Sequence, residues 1–338
     1  DNGDYILFYA VGPAPWTYRP VANEPQLTIR QHLYDDFAYY FVKIGDGQGL
    51  RVQEQASVPA SFTTEEFDDV QRLEDEKVNL LDFFNSAQGS GKRWFGDYFY
   101  QTRSRTYTFE FPNLVSGAEA RFKAEFAGRC GQTSTLKIEM AGASFTRNIG
   151  SVQVSNNEAD FAANALLTGT FQPSGNTIEV KVDYLPTAET SEGWLDYIEI
   201  NARRRLQMTV QTMEFRDIQT LQQDATTFRL GGVSGALSVW DITDPQQPKR
   251  QQTTTAGGAT EFGIATKSVL RNFIAFYDNI AFPKPEKVAG KIDNQNIHGL
   301  DNLHMAIVYH PDLEGSAQQL AEHRRTYSGF DVATVRTD

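Results

Sequence analysis

A single cysteine, Cys130, stands among 338 residues, which excludes an intramolecular disulfide framework and a cysteine-based zinc site. Long apolar runs are also missing. No stretch of about 18 consecutive apolar residues occurs, so no segment reads as a membrane-spanning helix. The first residues, Asp1 to Asp4, carry neither a basic nor an apolar leader region, and any export signal is expected upstream or removed. Basic charge is short as well: 31 Lys and Arg against 43 Asp and Glu give a formal charge of −12, which repels a phosphate backbone and argues against nucleic acid as a partner. Histidine is scarce, at five residues.

What is present is a folded, aromatic-rich chain. A hydrophobic fraction of 40% with only 22% charged residues can bury a core, and the length exceeds what one core normally fills, so several domains are expected. From Thr106 onward, apolar residues recur every second position: Tyr107, Phe109 and Phe111; Phe122, Ala124 and Phe126; Leu136, Ile138 and Met140; Ile178, Val180, Val182 and Tyr184. Turn residues separate these runs at Pro112-Asn113, Gly128 to Gly131 and Pro173 to Gly175. The fold class is therefore mainly β, with a jelly-roll-like β-sandwich over 104–204 whose last strand is Trp194 to Ile200.

Residues 1–103 read as a β-rich N-terminal domain. Its expected elements are a buried strand at Tyr5 to Val11, a hairpin from Ala38 to Gln53, and a helix near 64–74, where Thr63 and Glu66 fit a capping box and Phe67, Val70 and Leu73 fall at helical spacing. A further β-rich block with a linker is expected over 205–290, the segment from Phe282 to Lys287 having linker composition. Residues 291–338 change character: Met305 to Tyr309 is a short apolar strand, Ala317, Leu320 and Ala321 follow at helical spacing, and Val332 to Val335 is a second strand. This strand-helix-strand order predicts the start of an α/β domain that is incomplete within this sequence.

Several groups invite a functional reading. Cys130 has no histidine near it in sequence, and a structural role is expected, because a nucleophilic thiolate needs an oriented base. His298, His304 and His310 lie within thirteen residues, yet two ligands on one face without a third make a poor metal site. Seven acids and one arginine between Glu65 and Glu76 are dense enough to attract Ca²⁺, but their spacing matches no calcium loop, and a solvated helix face is the expected reading. Asp241 and Asp244 are expected to cap their own turn. Trp16, Tyr18, Trp94 and Tyr98 lie near Gly or Pro and suit a stacking platform for sugar, against the general expectation that such rings belong to the core.

Five strings occur in a shared order: Gly3-Asp-Tyr-Ile-Leu-Phe-Tyr9, Trp94-Phe-Gly96-Asp97, Trp194-Leu-Asp-Tyr-Ile-Glu-Ile-Asn201, Val239-Trp-Asp-Ile-Thr-Asp-Pro245 and Asn294-Gln-Asn-Ile-His-Gly-Leu300. Together they resemble the gingipain-like cysteine peptidases, in particular the sortases of type IX secretion. The resemblance implies that this chain is the noncatalytic region preceding a caspase-like α/β domain, plus that domain's first strand and helix. It further implies a parent that cleaves C-terminal sorting signals from secreted cargo and attaches the cargo to the cell surface, with cargo and other secretion-system components as partners and an extracytoplasmic, outer-membrane location. The family's catalytic His and Cys would then lie beyond Asp338, so no residue here is assigned a catalytic, cofactor-binding or metal role. The β region would act as scaffold, substrate-positioning surface or docking face, or restrain the protease as a prodomain does. A stand-alone adhesin or carbohydrate-binding β-sandwich is the alternative, and the terminal strand-helix-strand unit is what it fails to explain.

Overall fold

The computed structural model describes residues 5–21, 24–32, 35–42, 45–80, 94–285 and 295–337, with the side chain of His298 left aside. It divides into two compact units, Asp1–Ile280 and Ala281–Asp338. The break falls ten residues before the boundary expected at 290/291, and the last two residues of the expected linker segment, 286–287, lie outside the described residues.

The first unit contains two β-sandwiches. In the first sandwich one sheet runs in the order Ala163–Phe171, Ala120–Arg129, Glu192–Arg205, Glu66–Glu74, with Tyr98–Phe99 also pairing with Glu192–Arg205. The facing sheet runs Ala143–Ile149, Ser134–Met140, Thr177–Leu185, Ser104–Glu110. Every pairing in both sheets is antiparallel, and the chain crosses repeatedly from one sheet to the other, a jelly-roll-like arrangement. The alternation expected from sequence is what fills the core: Phe122, Phe126, Leu136, Ile138, Val180, Val182 and Tyr184 are fully buried between the sheets. Two glycines let rings approach the backbone. A Cβ at Gly193 would lie 2.6 Å from the Phe126 ring, and one at Gly169 would lie 2.6 Å from both Phe122 and Phe145.

The second sandwich draws its strands mainly from 212–277. One sheet runs Thr212–Phe215, Phe273–Tyr277, Leu237–Asp241, Lys249–Gln251, Gln53–Gln55; the other runs Thr254–Ala256, Ala259–Ala265, Ala225–Leu230, Phe62–Thr64. Its core is an aromatic cluster of Phe215, Phe228, Phe262 and Phe273.

The described strands at 53–55, 62–64 and 66–74 therefore join the two sandwiches and do not build the separate N-terminal domain expected over 1–103. Gln53–Gln55 and Phe62–Thr64 each add a parallel edge strand to one sheet of the second sandwich, and Glu66–Glu74 then closes an edge of the first. The connection is tight, since the Val58 amide bonds the Gly263 carbonyl at 2.9 Å and the Gly263 amide bonds Ser57 Oγ at 2.8 Å. Edge strands supplied by a distant segment cover backbone that would otherwise stand open.

The helix expected near 64–74 is a nine-residue strand, Glu66–Glu74. A strand wins because it has a partner along its whole length in Glu192–Arg205, with Phe67 opposite Arg204 and Asp68 opposite Arg203. Its side chains then serve both sandwiches. Phe67 is buried in the second core and Leu73 packs against the first, while the acids meet arginines.

Two further expectations are corrected. Tyr5 to Val11 forms no strand and is largely open to solvent, Ile6 at 86% of its full exposure. The described residues of the expected hairpin from Ala38 to Gln53 are likewise unpaired until Gln53, and 43–44 lie outside the described residues. Both segments are apolar at successive positions, but among the described residues neither pairs with a strand; where the first meets the sheet edge Thr212–Phe215 it does so by a side chain, the Tyr9 hydroxyl donating to Glu214 at 2.8 Å.

In their place a short hairpin, Trp16–Tyr18 with Leu27–Ile29, lies across the outer face of the first sandwich. It is held by side chains from that sheet acting on its backbone. Asn201 Oδ1 accepts the Leu27 amide at 2.8 Å while its Nδ2 donates to the Leu27 carbonyl at 2.7 Å, and Glu199 Oε2 accepts the Ile29 amide at 2.8 Å. Leu27 is fully buried by this contact.

The second unit contains the strand-helix-strand order. Met305–Tyr309 and Val332–Arg336 pair in parallel, and Glu314–Ser328 is the connecting helix, ended by Gly329 in the left-handed conformation at φ 64°. Ala317 and Ala321 are its buried positions. Among the described residues no helix is long and apolar enough to cross a membrane.

Candidate functional site

An acidic run, an arginine step and an aromatic shelf are the three chemically loaded places in the first unit. The acidic run is structural. Arg203 reaches Asp217 at 2.9 Å, Asp68 at 3.2 Å and Glu66 at 3.2 Å, and Arg204 reaches Asp69 at 2.7 Å. Asp217 is fully buried and also accepts the Thr64 hydroxyl at 2.7 Å. Burial pushes the Asp68 carboxyl up to about 6 from 3.8, with Arg203 pulling the other way. Among the described residues no group of three or more His, Cys, Asp or Glu is placed to hold a metal. The solvated helix face expected here is thus an ion-paired strand.

The other candidates separate in space. His304 precedes and His310 follows the strand Met305–Tyr309, so extended backbone puts them about 20 Å apart. His304 stacks on Phe330 and takes the Asp331 amide at 3.2 Å, and His310 caps the turn Pro311–Leu313 by accepting the Asp312 amide. Asp241 and Asp244 accept the amides of Thr243 and Gln246 at 3.0 Å, closing their own turn as expected. Cys130 is buried, and its sulfur takes the Ser191 hydroxyl at 3.0 Å with Thr187 Oγ1 at 3.7 Å; its partners are hydroxyls rather than an imidazole.

The remaining place is an open cleft of about 460 Å³ at the edge of the first sandwich, lined by residues that include Lys77, Asp97, Tyr98, Arg105, Glu192 and Trp194. Its floor follows from local strand geometry. Tyr98–Phe99 pairs with Gly193 and Trp194, so Phe99 turns into the core while Tyr98 and Tyr100, two positions apart, face outward at 40% and 37% exposure. Gly96 allows the approach: its amide bonds the Leu195 carbonyl at 2.7 Å, and a Cβ there would stand 2.9 Å from Asp75 Cβ. The Tyr98 ring lies 5.4 Å from Trp194 and 5.9 Å from Tyr100, nearly parallel to the latter.

Around the rings the charges are paired. Asp97 accepts Lys77 Nζ at 2.8 Å and the Tyr107 hydroxyl at 2.9 Å. Burial acts to raise the Asp97 carboxyl, but these two bonds and the nearby Arg105 outweigh it and hold the group below its ordinary value. Glu192 takes a very short hydrogen bond from the Tyr98 hydroxyl, whose pKa is pushed up to about 12, first by burial and then by that carboxylate. Arg105 donates to the Tyr98 carbonyl at 3.1 Å, while its Nε is buried with no hydrogen-bond partner. The cleft offers an aromatic ring, donors and acceptors, and no histidine or cysteine stands among the described residues that line it.

Of the four rings singled out in sequence, Tyr98 alone lines the cleft. Trp16 lies 4.3 Å from the Arg216 guanidinium at the second sandwich, Tyr18 belongs to the surface hairpin, and Trp94 pairs through its backbone with Asn79. Trp194 and Glu192 were not singled out, because they sit within a strand whose alternation reads as core; the missing signal is that Tyr98 and Trp194 are cross-strand neighbours, 96 positions apart in sequence.

No protein-family model matches the sequence, and no curated protein matches it. Among solved structures, a carbohydrate-binding module of family 36 from a xylanase of the Trinervitermes trinervoides hindgut metagenome aligns at 11% identity and a TM-score of 0.24, over 39% of this chain and 95% of its own. A family 35 module from Cellvibrio japonicus Abf62 aligns at 10% identity and 0.27, over 40% and 97%. Neither score supports a shared fold. The crystal structure of dimeric latent PorU from Porphyromonas gingivalis aligns at 21% identity, and this chain spans 31% of that protein's length. With a TM-score of 0.78 over 97% of the residues, the fold of this chain is the fold of that part of PorU.

Proposed function

We propose that the chain is the noncatalytic N-terminal region of a PorU-like cysteine peptidase, exported from the cytoplasm, that positions secreted cargo or docks other secretion components while chemistry takes place in a following α/β domain. The observation that carries this reading is the similarity to PorU across both units, the strand-helix-strand segment included. The five sequence strings that resemble type IX sortases run in the same order along the chain. The second unit supports it further. Its two-stranded parallel sheet leaves Val308 at 65% exposure, and Leu313, Leu320 and Tyr327 are exposed beside it on the same unit. Parallel sheets are stable when both faces are covered, so further strands and helices belong here.

In this reading the first unit is a rigid spacer. Two sandwiches share one continuous segment, Gln53 to Glu74, and the charged junction at Arg203 locks them, so the cleft and the hairpin-bearing face are held at fixed positions within that unit.

The test is to follow the parent gene past Asp338 and assay its product. The expected result is a His and a Cys at the ends of hydrophobic strands within the following domain, and thiol-dependent cleavage of a substrate bearing a C-terminal sorting signal by the longer protein, with none by this 338-residue chain. A stop codon, a further β module, or thiol-dependent cleavage by this chain that vanishes in Cys130→Ala overturns the reading.

A further inference from the structure

The cleft between Tyr98 and Trp194 has a composition that selects a ligand class, and the argument stands apart from the peptidase reading. Its volume of about 460 Å³ falls within the range of roughly 300–1,000 Å³ usual for small-ligand sites. Among the described residues two cations, Lys77 and Arg105, and two anions, Asp97 and Glu192, line it, so their charges balance. Most of that charge is also engaged already: Lys77 bridges Asp75 and Asp97 at 2.8 Å each, and Glu192 holds the Tyr98 hydroxyl with Arg129 Nε at 3.8 Å. A charged ligand would have to break a pair to enter. A neutral ligand with alternating hydroxyl donors and acceptors would not, because each carboxylate keeps lone pairs that can accept a hydroxyl.

The aromatic part narrows the class further. Tyr98 lines the cleft at 40% exposure, the Tyr100 ring stacks against it at 5.9 Å just beyond the lining at 37% exposure, and Trp194 packs on Tyr98 at 5.4 Å while itself braced by Phe161 at 5.8 Å. Rings held from behind keep their orientation when a ligand stacks on the open face. A pyranose or furanose ring carries an apolar C–H face for that stacking and a rim of hydroxyls for the surrounding polar groups. We propose that this cleft binds a neutral saccharide, with Tyr98 and Tyr100 as the stacking surface and Asp97, Glu192 and Arg105 as the hydrogen-bonding rim.

The experiment is isothermal titration of the whole chain with neutral β-linked hexasaccharides of glucose, xylose and mannose, together with a sulfated oligosaccharide and a Lys-Arg-rich peptide as charged probes. Saturable binding of at least one neutral hexasaccharide, little changed by added salt, is expected. Tyr100→Ala, at an exposed ring outside the core, should weaken it about tenfold, the equivalent of one lost aromatic contact. Tyr98→Phe, which keeps the ring and removes the hydroxyl, should weaken it less than Tyr98→Ala, and near-ultraviolet circular dichroism will confirm that each variant is folded. Failure of all three neutral sugars to bind, salt-sensitive binding of a charged probe in their place, or neutral-sugar binding unchanged in folded Tyr100→Ala overturns the proposal.

Discussion

The junction around Arg203 makes a quantitative prediction with a sign. The Arg203 guanidinium sits within 3.2 Å of three carboxylates, Glu66, Asp68 and Asp217, and its own side chain is 12% exposed. Arg203→Met keeps the length of the side chain and removes the charge. What remains is Asp217 fully buried, with the Thr64 hydroxyl and the Gln219 amide as partners, and Asp68 with the Ile218 amide at 2.7 Å. Removing one partner of a buried ionic group typically costs about 3–5 kcal/mol, because the charges left behind stay desolvated. For a unit of this size that lowers the melting temperature by on the order of 10 °C.

The pH dependence separates this mechanism from simple loss of packing. The Asp68 carboxyl titrates near 6 in the folded protein against 3.8 ordinarily, raised first by burial and lowered by Arg203. An acid whose folded pKa is raised binds its proton more tightly when folded, so its stabilising contribution is complete below 3.8 and is lost as pH rises toward 6, a span worth about 3 kcal/mol. Without Arg203 the opposing pull disappears and the folded pKa climbs above 6. The variant therefore takes up a proton at a pH where the parent does not, and the gap between them narrows on acidification. Urea unfolding followed by tryptophan fluorescence at about pH 8 and about pH 5.5 should show the stability difference shrinking by at least about 1 kcal/mol at the lower pH. A difference that is the same at both values, or an unchanged midpoint at pH 8, refutes the charged-junction account.

Three further outcomes follow from the same packing. Phe67→Ala, at a ring buried in the second core from a strand of the first sandwich, should cost about 3–5 kcal/mol in urea unfolding and lower both sandwiches' transitions together. Gly263→Ala places a Cβ 2.0 Å from the Val58 carbonyl oxygen, so it should destabilise by roughly 1–3 kcal/mol and expose the segment around Ser57 to limited proteolysis that the parent resists. Cys130, at 1% exposure, should resist a disulfide exchange reagent in the folded chain and react with one equivalent once urea unfolds it, a fast native reaction counting against its burial.

How much of this was legible in the sequence depends on whether a residue's partner lies close along the chain. Phe122, Ala124, Phe126 and the matching runs to Tyr184 announced the first sandwich because one face of each strand meets a core, and that is a local property visible as period two. The second unit was legible for a related reason: a short apolar strand, a helical repeat and Gly329 at the helix end each carry their own signal. Tyr5 to Val11 is apolar on both alternations, the signal of a strand covered on two faces, but among the described residues it pairs with no strand and meets the edge strand Thr212–Phe215 only through the Tyr9 hydroxyl, which an apolar run cannot report. In the cleft, Tyr98 was found from its neighbours, whereas Trp194 and Glu192 were hidden in a strand that otherwise reads as interior.

The acidic run shows where local reading fails and what would have corrected it. Phe67, Val70 and Leu73 are spaced three apart, which a helix and a strand both permit once the positions between them are acids that need not face a core. As a helix the segment would set several like charges within one turn of each other, a repulsion that Arg72 alone, four residues after Asp68, offsets only in part. As a strand it spreads them along about 30 Å and sets Asp68 opposite Arg203, with Asp69 within reach of Arg204. The offsetting charges were in the sequence all along, as the Arg203-Arg204-Arg205 step some 130 residues later, too dense to be incidental beside a buried strand. A block of one sign and a block of the other, each flanking a strand-like run, are mutual evidence for pairing: the register that joins them also buries Phe67, and no helical arrangement of the same residues satisfies both.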